Sequence, residues 1–339
     1  CIRDSLKRAQ RLREVFAMDA DTVFFSPAPL HHAAPLRFSM DLLRLGGTLV
    51  LNTHFNAKAA LRLLARERVT HSQWVPTMFT RLLAKRDENF SAPWHRVAIH
   101  AGAPCSVELK REMISWWGPI LHEYYSGTES IGFTHITSEE WLKKVGSVGR
   151  PSGCDIHILN DEAEPLPAGQ RGKVFFSGRE VVAYHNDPKK TAAARSPQGY
   201  STMGDLGYVD ADGYLFLTDR EAFTIISGGV NVYPREVEEA ISTDSRVAEA
   251  AVFGSPDNDL GEAVTAVVEL QRDYEPTLNI AKMIRERLRA RLSPHKLPRK
   301  LAFVDQMPLT DSGKIHKARL RDTWESHCEH VYERAALDE

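Results

Sequence analysis

Four polar, glycine-containing stretches carry residue types that suit nucleotide and phosphate chemistry. The first, residues 122–130, reads HEYYSGTES. It follows an apolar run, which places it at the carboxyl end of a strand, where open α/β sheets bind ligands. An aromatic ring, a hydroxyl and a carboxylate at that point suit stacking on a base, contact with a phosphate and coordination of Mg²⁺. A simple β-turn that bends at Gly127 is an equally weighted alternative.

Two further stretches combine glycines with a carboxylate or with backbone that a ligand can approach closely. In residues 201–208, Asp205 lies between two glycines, and such a carboxylate can accept hydrogen bonds from both hydroxyls of a ribose. A turn-stabilising aspartate explains it equally well. In residues 218–234, Gly228 and Gly229 let the backbone approach a ligand closely, although a structural bulge would use them in the same way.

The fourth stretch, residues 308–315, is a polar loop that presents Lys314 directly after a glycine. A lone lysine is most often a solvated surface charge. Lys314 is therefore a candidate functional residue only in combination with the other three stretches.

Short apolar strands that alternate with amphipathic helices must position these stretches. This pattern predicts a parallel sheet covered on both faces by helices. After about residue 141 the chain becomes rich in Gly and Pro, which predicts a small distorted β-barrel, and a compact α+β unit follows. The predicted domains are 1–141, 142–220 and 221–339. The predicted helices are 2–16, 36–45, 57–68, 77–85, 107–117, 234–241 and 280–292, and the predicted strands are 22–25, 47–51, one near 73, 97–100, 120–124, 155–159, 173–176, 214–218, 247–253, 263–270 and 301–304.

Composition narrows the class of protein. The 339 residues are 42% hydrophobic with a net charge of -2, which gives no indication of a nucleic-acid partner. No apolar run is long enough to span a membrane. The four cysteines are far apart, and we interpret them as reduced thiols in a cytoplasmic protein. Nothing in the sequence sets the oligomeric state, which leaves a homodimer open.

Together the four stretches resemble the adenylate-forming superfamily, in its acyl-CoA synthetase branch, over nearly the whole chain. The resemblance implies that Tyr125 stacks on adenine, that Thr128 contacts phosphate and that Glu129 holds Mg²⁺. It also implies that Lys314 is the adenylation lysine and that His32, in a Pro-Leu-His-His segment, lies near the acid. The remaining implied binding residues are Gly102, Ala103 and Pro104 beside the base, Asp205 and Arg220 at the ribose, and Gly228 and Gly229 along the pantetheine tunnel.

Members of this superfamily work in two half-reactions. A small carboxylic acid and ATP·Mg²⁺ give acyl-AMP and pyrophosphate, and the thiol of coenzyme A then attacks the acyl-AMP. The C-terminal domain rotates between the two steps, and the resemblance puts the hinge at Ala222. The implied activity is that of an ATP-dependent carboxylic acid–CoA ligase.

The sequence departs from the family pattern in four places. No Ser/Thr/Gly-rich loop that ends in Pro-Lys-Gly occurs. Because that loop holds the β- and γ-phosphates, we expect an upstream part to be missing and these 339 residues alone to be impaired. Ser126 and Met203 stand where the family usually has glycine, and Ala222 stands where it usually has a charged residue.

Three alternatives and one open question accompany this interpretation. A peptide-synthetase adenylation domain normally carries an aspartate in the segment that here reads Pro-Leu-His-His-Ala, so it fits less well. Transfer of the acyl group to a carrier protein stays open, as does a non-catalytic nucleotide-binding remnant. Which acid is used is open as well. The candidate pocket walls are Trp74, Val75, Met78, His100 and Ala101.

Overall fold

A seven-stranded, mostly parallel sheet forms the first part of the chain in a computed structural model that describes residues 2–87, 90–179, 183–220, 223–311 and 313–338. Its strands are β1 (Val23–Ser26), β2 (Thr48–Leu51), β3 (His71–Trp74), β4 (Val97–His100), β5 (Leu121–Tyr125), β6 (Thr134–Thr137) and β7 (Arg150–Pro151). Its helices are α1 (Ile2–Phe16), α2 (Ala33–Leu45), α3 (Ala57–Arg66), α4 (Pro76–Leu83), α5 (Val107–Trp117) and α6 (Ser138–Lys143).

The strand order is β2-β1-β3-β4-β5-β6-β7, and the first five strands are parallel. The parallel sheet predicted from the alternating pattern is thereby confirmed. β6 and β7 are antiparallel and were not predicted. The link between β5 and β6 is the polar loop that starts at Ser126, and it is too short for the crossover that a parallel strand would need.

Helices cover both faces of this sheet. On one face, α1 and α2 pack Leu12, Phe16 and Phe38 against Phe24 and Tyr124. On the other face, α3, α4 and α5 cover a second apolar cluster that contains Phe25, Trp74, Phe79 and Leu121. Side chains alternate between the two faces along each strand, so Phe24 and Phe25 belong to different cores. The carboxyl ends of the parallel strands are left for the loops that carry the polar stretches.

A second sheet of four antiparallel strands follows, in the order β11-β10-β9-β8. Its elements are β8 (Asp155–Leu159), β9 (Gly172–Ser177), α7 (Pro188–Ala193), β10 (Ser201–Val209) and β11 (Leu215–Arg220). β8 and β11 are its outer strands, so the barrel expected for this region is not confirmed and an open sheet is found instead. The Gly- and Pro-rich composition correctly indicated β structure but did not specify closure.

The last part of the chain is an α+β unit built on a third sheet, with the path β13-β12-β15-β16-β17 and with β14 paired to β15. Its elements are β12 (Ile225–Ser227), β13 (Val230–Val232), α8 (Pro234–Ser242), β14 (Val247–Asp257), β15 (Gly261–Leu270), α9 (Leu278–Arg289), a 3₁₀ turn (Pro294–Lys296), β16 (Lys300–Phe303), α10 (Lys317–His327), β17 (His330–Glu333) and α11 (Arg334–Asp338). The helix, two strands, helix and strand predicted for 234–304 correspond to α8, β14, β15, α9 and β16. The hairpin of β12 and β13, α10 and β17 were not predicted.

The sequence also led to predictions about membrane spans, cysteines and domain boundaries. Within the described ranges, no helix combines the length and apolarity that crossing a bilayer requires. Cys105, Cys154 and Cys328 carry free thiols. The domain boundaries near residues 141 and 220 stay predictions.

Candidate active site

A cavity of about 260 Å³ opens at the carboxyl ends of the parallel strands. The residues singled out in the sequence that line it include His32, Gly102, Thr128 and Lys314. They come from the start of α2, the loop after β4, the loop after β5 and the C-terminal α+β unit. The fold therefore gathers residues that are up to 282 positions apart in sequence (314 minus 32) around one space.

The loop that carries Lys314 is a tight turn docked on the first part of the chain. The backbone N–H of Thr310 donates to the carbonyl of Lys314 at 2.7 Å, and the N–H of Gly313 donates to the carbonyl of Thr310 at 2.8 Å. The hydroxyl of Thr77, in the first turn of α4, donates to the carbonyl of Gly313 at 2.5 Å. This contact joins the C-terminal unit to the rim of the cavity.

Gly102 makes room for the tip of Lys314. A Cβ atom at Gly102 would lie 3.1 Å from both Cε and Nζ of Lys314, and Gly102 has φ of +85°. That conformation favours glycine, and the close approach adds a second reason for glycine at this position. The lysine ammonium is thus held against the loop that follows β4.

His32 offers the cavity a neutral imidazole. Burial lowers the pKa of His32, and the neighbouring His31 and Lys314 lower it further. The ring stacks obliquely on that of His31, with centroids 4.2 Å apart. Its Nε2 is buried and has no hydrogen-bond partner among the described residues. A neutral ring can therefore form a hydrogen bond to a ligand without placing a second cation beside Lys314.

The loop after β5 is fixed by three side chains that the sequence did not single out. The hydroxyl of Tyr184 donates to Oε1 of Glu129 at 2.9 Å. Arg37 donates to the carbonyl of Thr128 at 2.9 Å and to Oγ of Ser130 at 2.7 Å. Arg179 donates to the carbonyl of Ser130 at 3.3 Å, and Ser130 itself has φ of +58°. No motif contains these three anchors, because they act from distant elements.

The two departures from the family pattern in this region have structural roles. Ser126 donates from Oγ to the carbonyl of Gly132 at 2.6 Å, which closes the loop. The Met203 side chain lies so close to Gly127 that a Cβ at Gly127 would be 2.4 Å from its sulfur. A larger residue at Gly127 would therefore force the Met203 side chain to move.

Tyr125 and Asp205 lie together beside the cavity. The phenol of Tyr125 donates a short hydrogen bond to Oδ2 of Asp205, and Asp205 is 5% exposed. Across the β10–β11 ladder, Asp205 pairs in register with Arg220, whose side chain lies outside the described residues. The structure thus brings together the aromatic ring and the carboxylate that the resemblance assigns to the nucleoside.

The remaining predicted site residues either follow Gly102 in the chain or lie outside the cavity lining. Ala103 and Pro104 continue the loop after Gly102. Gly228 and Gly229 form the exposed turn of the β12–β13 hairpin, with φ of +59° and +78°, and do not line the cavity. The expected hinge residue, Ala222, lies outside the described residues.

Three of the five candidate pocket walls, Trp74, Val75 and Ala101, line the cavity. Met78 does not line the cavity and packs in the apolar cluster under α3, α4 and α5, to which Trp74 also belongs. His100 does not line the cavity either, and its ring packs edge-on against Phe79 of that cluster, with centroids 5.5 Å apart. Gln73, which the sequence analysis missed, lines the cavity instead.

A buried ion pair supports the strand that leads into the site. Nζ of Lys110 lies 2.7 Å from Oε2 of Glu123, and the Lys110 side chain is fully buried. Lys110 also lies over the ring of Trp141, 4.7 Å from its centroid. Burial lowers the pKa of the neighbouring His100 to about 3. The only formal charges that we assign to this cluster are therefore those of the ion pair.

These features define a class of protein. The loops at the carboxyl ends of a parallel sheet form a ligand site. An aromatic ring and a carboxylate lie beside each other there, and a second unit contributes a lysine. This arrangement suits a reaction between two anions, because the lysine can offset their charge. Comparisons with known proteins identify the class. Residues 4–183 match the family described as "AMP-binding enzyme". Residues 236–314 match the family described as "AMP-binding enzyme C-terminal domain". The chain therefore belongs to the AMP-binding, adenylate-forming enzyme family.

Individual relatives agree with this assignment. The chain is 31% identical over 311 residues to the medium/long-chain-fatty-acid–CoA ligase FadD8 of Mycobacterium tuberculosis, covering 89% of this chain and 54% of the relative. It is 33% identical over 304 residues to the feruloyl-CoA synthase of an Amycolatopsis species, covering 87% and 60%. The chain thus spans between half and two thirds of the length of these relatives.

A solved structure matches the fold. The o-succinylbenzoate CoA synthetase MenE of Bacillus subtilis, in complex with the acyl-adenylate intermediate OSB-AMP, superposes with a TM-score of 0.80 and 27% identity. The match covers 94% of this chain and 64% of that structure. The mixed α/β architecture is thereby confirmed as that of an adenylate-forming enzyme.

Proposed function

We propose that this chain carries the adenylating centre of an ATP-dependent carboxylic acid–CoA ligase, an acid–thiol ligase that forms AMP. The observation that supports this most directly is the position of Lys314. Its tip lies against Gly102 in the same cavity as His32 and Thr128. A mobile surface lysine would have no reason to be held there by a glycine pocket and by the docking contact of Thr77.

In the first half-reaction, a carboxylate oxygen of the acid attacks the α-phosphorus of ATP and pyrophosphate leaves. Two anions must meet in line, and a cation between them offsets the developing charge. Lys314 would provide that cation, and Thr128 would contact the phosphate. Tyr125 and Asp205 would hold the adenine and the ribose, as their adjacent positions allow.

Glu129 is the residue suited to Mg²⁺. Magnesium often binds through one or two carboxylates and completes its shell with water and substrate phosphates. Glu129 fits this pattern, because one of its oxygens accepts a hydrogen bond from Tyr184 and the other has no hydrogen-bond donor among the described residues. Among residues with described placement, no group of three or more potential ligands forms an all-protein metal site. When bound, the ion would neutralise phosphate charge.

In the second half-reaction, the thiol of CoA attacks the carbonyl carbon of the acyl-AMP, and AMP leaves with the former carboxylate oxygen. We propose that the C-terminal unit then turns about a hinge at Ala222. That rotation would withdraw the lysine loop and present the exposed turn of Gly228 and Gly229 to the cavity. Their exposure on a hairpin tip supports a surface that docks in a second arrangement.

Acid-dependent exchange of labelled pyrophosphate into ATP tests the first step. The assay would use a panel of acids with the 339-residue chain, and with the same chain joined to the N-terminal segment of a longer relative. Lys314→Ala should abolish exchange, whereas Lys58→Ala, which changes an exposed lysine on α3, should not. Exchange that persists in Lys314→Ala, or that no acid elicits in either chain, would overturn the proposal.

A further inference from the structure

One wall of the cavity contains a buried amide with an unused hydrogen-bonding atom. Gln73, in the middle of β3, is 5% exposed and lines the cavity. Its Nε2 donates to the hydroxyl of Tyr124 at 3.2 Å. Its Oε1 is buried and has no partner among the described residues. Buried polar atoms are nearly always paired, so this atom calls for an occupant of the cavity.

The unused atom has polar neighbours on the same face of the sheet. Ser26 ends the neighbouring strand β1 on the same face as Gln73, since Phe24 and Phe25 are in register with His71 and Ser72. The Ser26 hydroxyl is likewise buried without a described partner. Burial raises the pKa of the Tyr124 phenol, so this phenol stays protonated at neutral pH and can donate a hydrogen bond of its own.

The rest of this wall is aromatic. The rings of Phe38 and Tyr124 are 5.6 Å apart and inclined by 26°, and those of Tyr124 and Phe133 are 5.5 Å apart and inclined by 19°. Leu12 and Phe16 complete the apolar surface that faces the cavity. These rings form an aromatic wall against which another ring can pack.

The cavity is small. Its volume of about 260 Å³ lies just below the range of about 300–1,000 Å³ that is usual for ligand sites, and the reacting carboxylate must share it with the acyl group. A compact ring therefore fits this space better than a long, flexible chain.

We infer that the acid activated at this site is a compact aromatic carboxylic acid whose ring carries a hydroxyl group, held by Gln73 and Tyr124. A hydroxyl suits the position because it both donates and accepts. It can donate to Oε1 of Gln73 while it accepts from the phenol of Tyr124. It also suits either orientation of the amide, since it would accept from Nε2 if the amide were reversed. This inference rests on the proposed function and narrows its substrate class.

The test compares matched pairs of acids that differ only in the ring hydroxyl, namely benzoic and phenylpropenoic acids with and without it. Calorimetry would give Kd for each acid, and pyrophosphate exchange would give kcat/KM. We expect the hydroxylated partner of at least one pair to bind and react better by about 10- to 100-fold, because its absence leaves the buried amide unpaired. Equal or poorer values for every hydroxylated acid would overturn the inference without any variant.

Two variants assign the preference to Gln73. Gln73→Met keeps the side-chain volume and removes both polar atoms, so the ratio between the two acids of a pair should fall to near one. Ser39→Ala is the matched control, because it removes a buried hydroxyl that also lacks a described partner but does not line the cavity. Its ratio should equal that of the wild type. A preference that survives in Gln73→Met would contradict the assignment.

The two readouts separate this inference from the proposed function. A hydroxyl preference in Kd without any exchange would support the inference and refute the ligase activity. Exchange with every acid and no preference would support the ligase and refute the inference.

Discussion

The docking of the lysine loop through Thr77 leads to a quantitative prediction. The Thr77 hydroxyl donates to the carbonyl of Gly313, directly before Lys314. Thr77→Val keeps the shape of the side chain but removes this bond and leaves the half-buried carbonyl without it. Loss of such a partner costs about 1–3 kcal/mol, which lowers the equilibrium constant for docking of the loop by roughly 5- to 150-fold.

In the proposed mechanism, only the first half-reaction needs the docked lysine loop. We therefore expect Thr77→Val to slow acid-dependent pyrophosphate exchange by up to that factor. Conversion of chemically synthesised acyl-AMP and CoA into thioester should be unchanged or faster, because the variant favours release of the loop. Thr77→Ser keeps the hydroxyl and should retain most of the exchange activity.

The reasoning would be refuted by two results. Equal losses in both half-reactions would indicate a general structural role for Thr77. A serine variant as slow as the valine variant would show that the methyl group, and not the hydrogen bond, positions the loop.

Three further predictions concern the lysine pocket, the buried ion pair and the dependence on pH. Gly102→Ala should reduce adenylation at least about tenfold, because its Cβ would lie 3.1 Å from the tip of Lys314 at φ of +85°; normal exchange rates would refute this. Lys110→Met leaves Glu123 as a buried charge without its cation and should destabilise the fold by about 3–5 kcal/mol, measured by denaturant unfolding, with partial recovery on adding Glu123→Gln. Burial and a carboxylate opposite it raise the pKa of Glu249 from 4.5 to about 7, so the native state binds a proton that the unfolded state releases between these values. Stability should therefore fall as pH rises from about 4.5 to 7, by up to about 3 kcal/mol, and unfolding curves of Glu249→Gln at pH 5 and pH 8 should lack that fall.

The sequence predicted those parts of the fold that have a strong periodic signal. The apolar strands around Phe24 and Ile99 and the helices between them were predicted, because alternation of strands and helices leaves few arrangements other than a parallel sheet. β6 and β7 were not, since the polar loop before them hides a reversal of strand direction. Closure of the second sheet is not confirmed, because composition does not specify which outer strands pair.

Site residues were likewise predicted only where a local sequence motif marks them. His32, Gly102, Thr128 and Lys314 stand in short motifs and were found separately, and the fold then gathers them around one cavity. Gln73 belongs to no motif and was missed. It could have been noticed as an amide inside a four-residue strand that is buried throughout, where a polar side chain requires a partner.

The most direct test of the central claim follows the carboxylate oxygen. An acid labelled with ¹⁸O in its carboxyl group would be incubated with ATP, Mg²⁺ and CoA, and the AMP produced would be analysed by mass spectrometry. Attack of the acid on the α-phosphorus predicts AMP that carries one ¹⁸O atom, formed by the wild type and not by Lys314→Ala. AMP without the label, or ADP in its place, would contradict an acyl-adenylate intermediate.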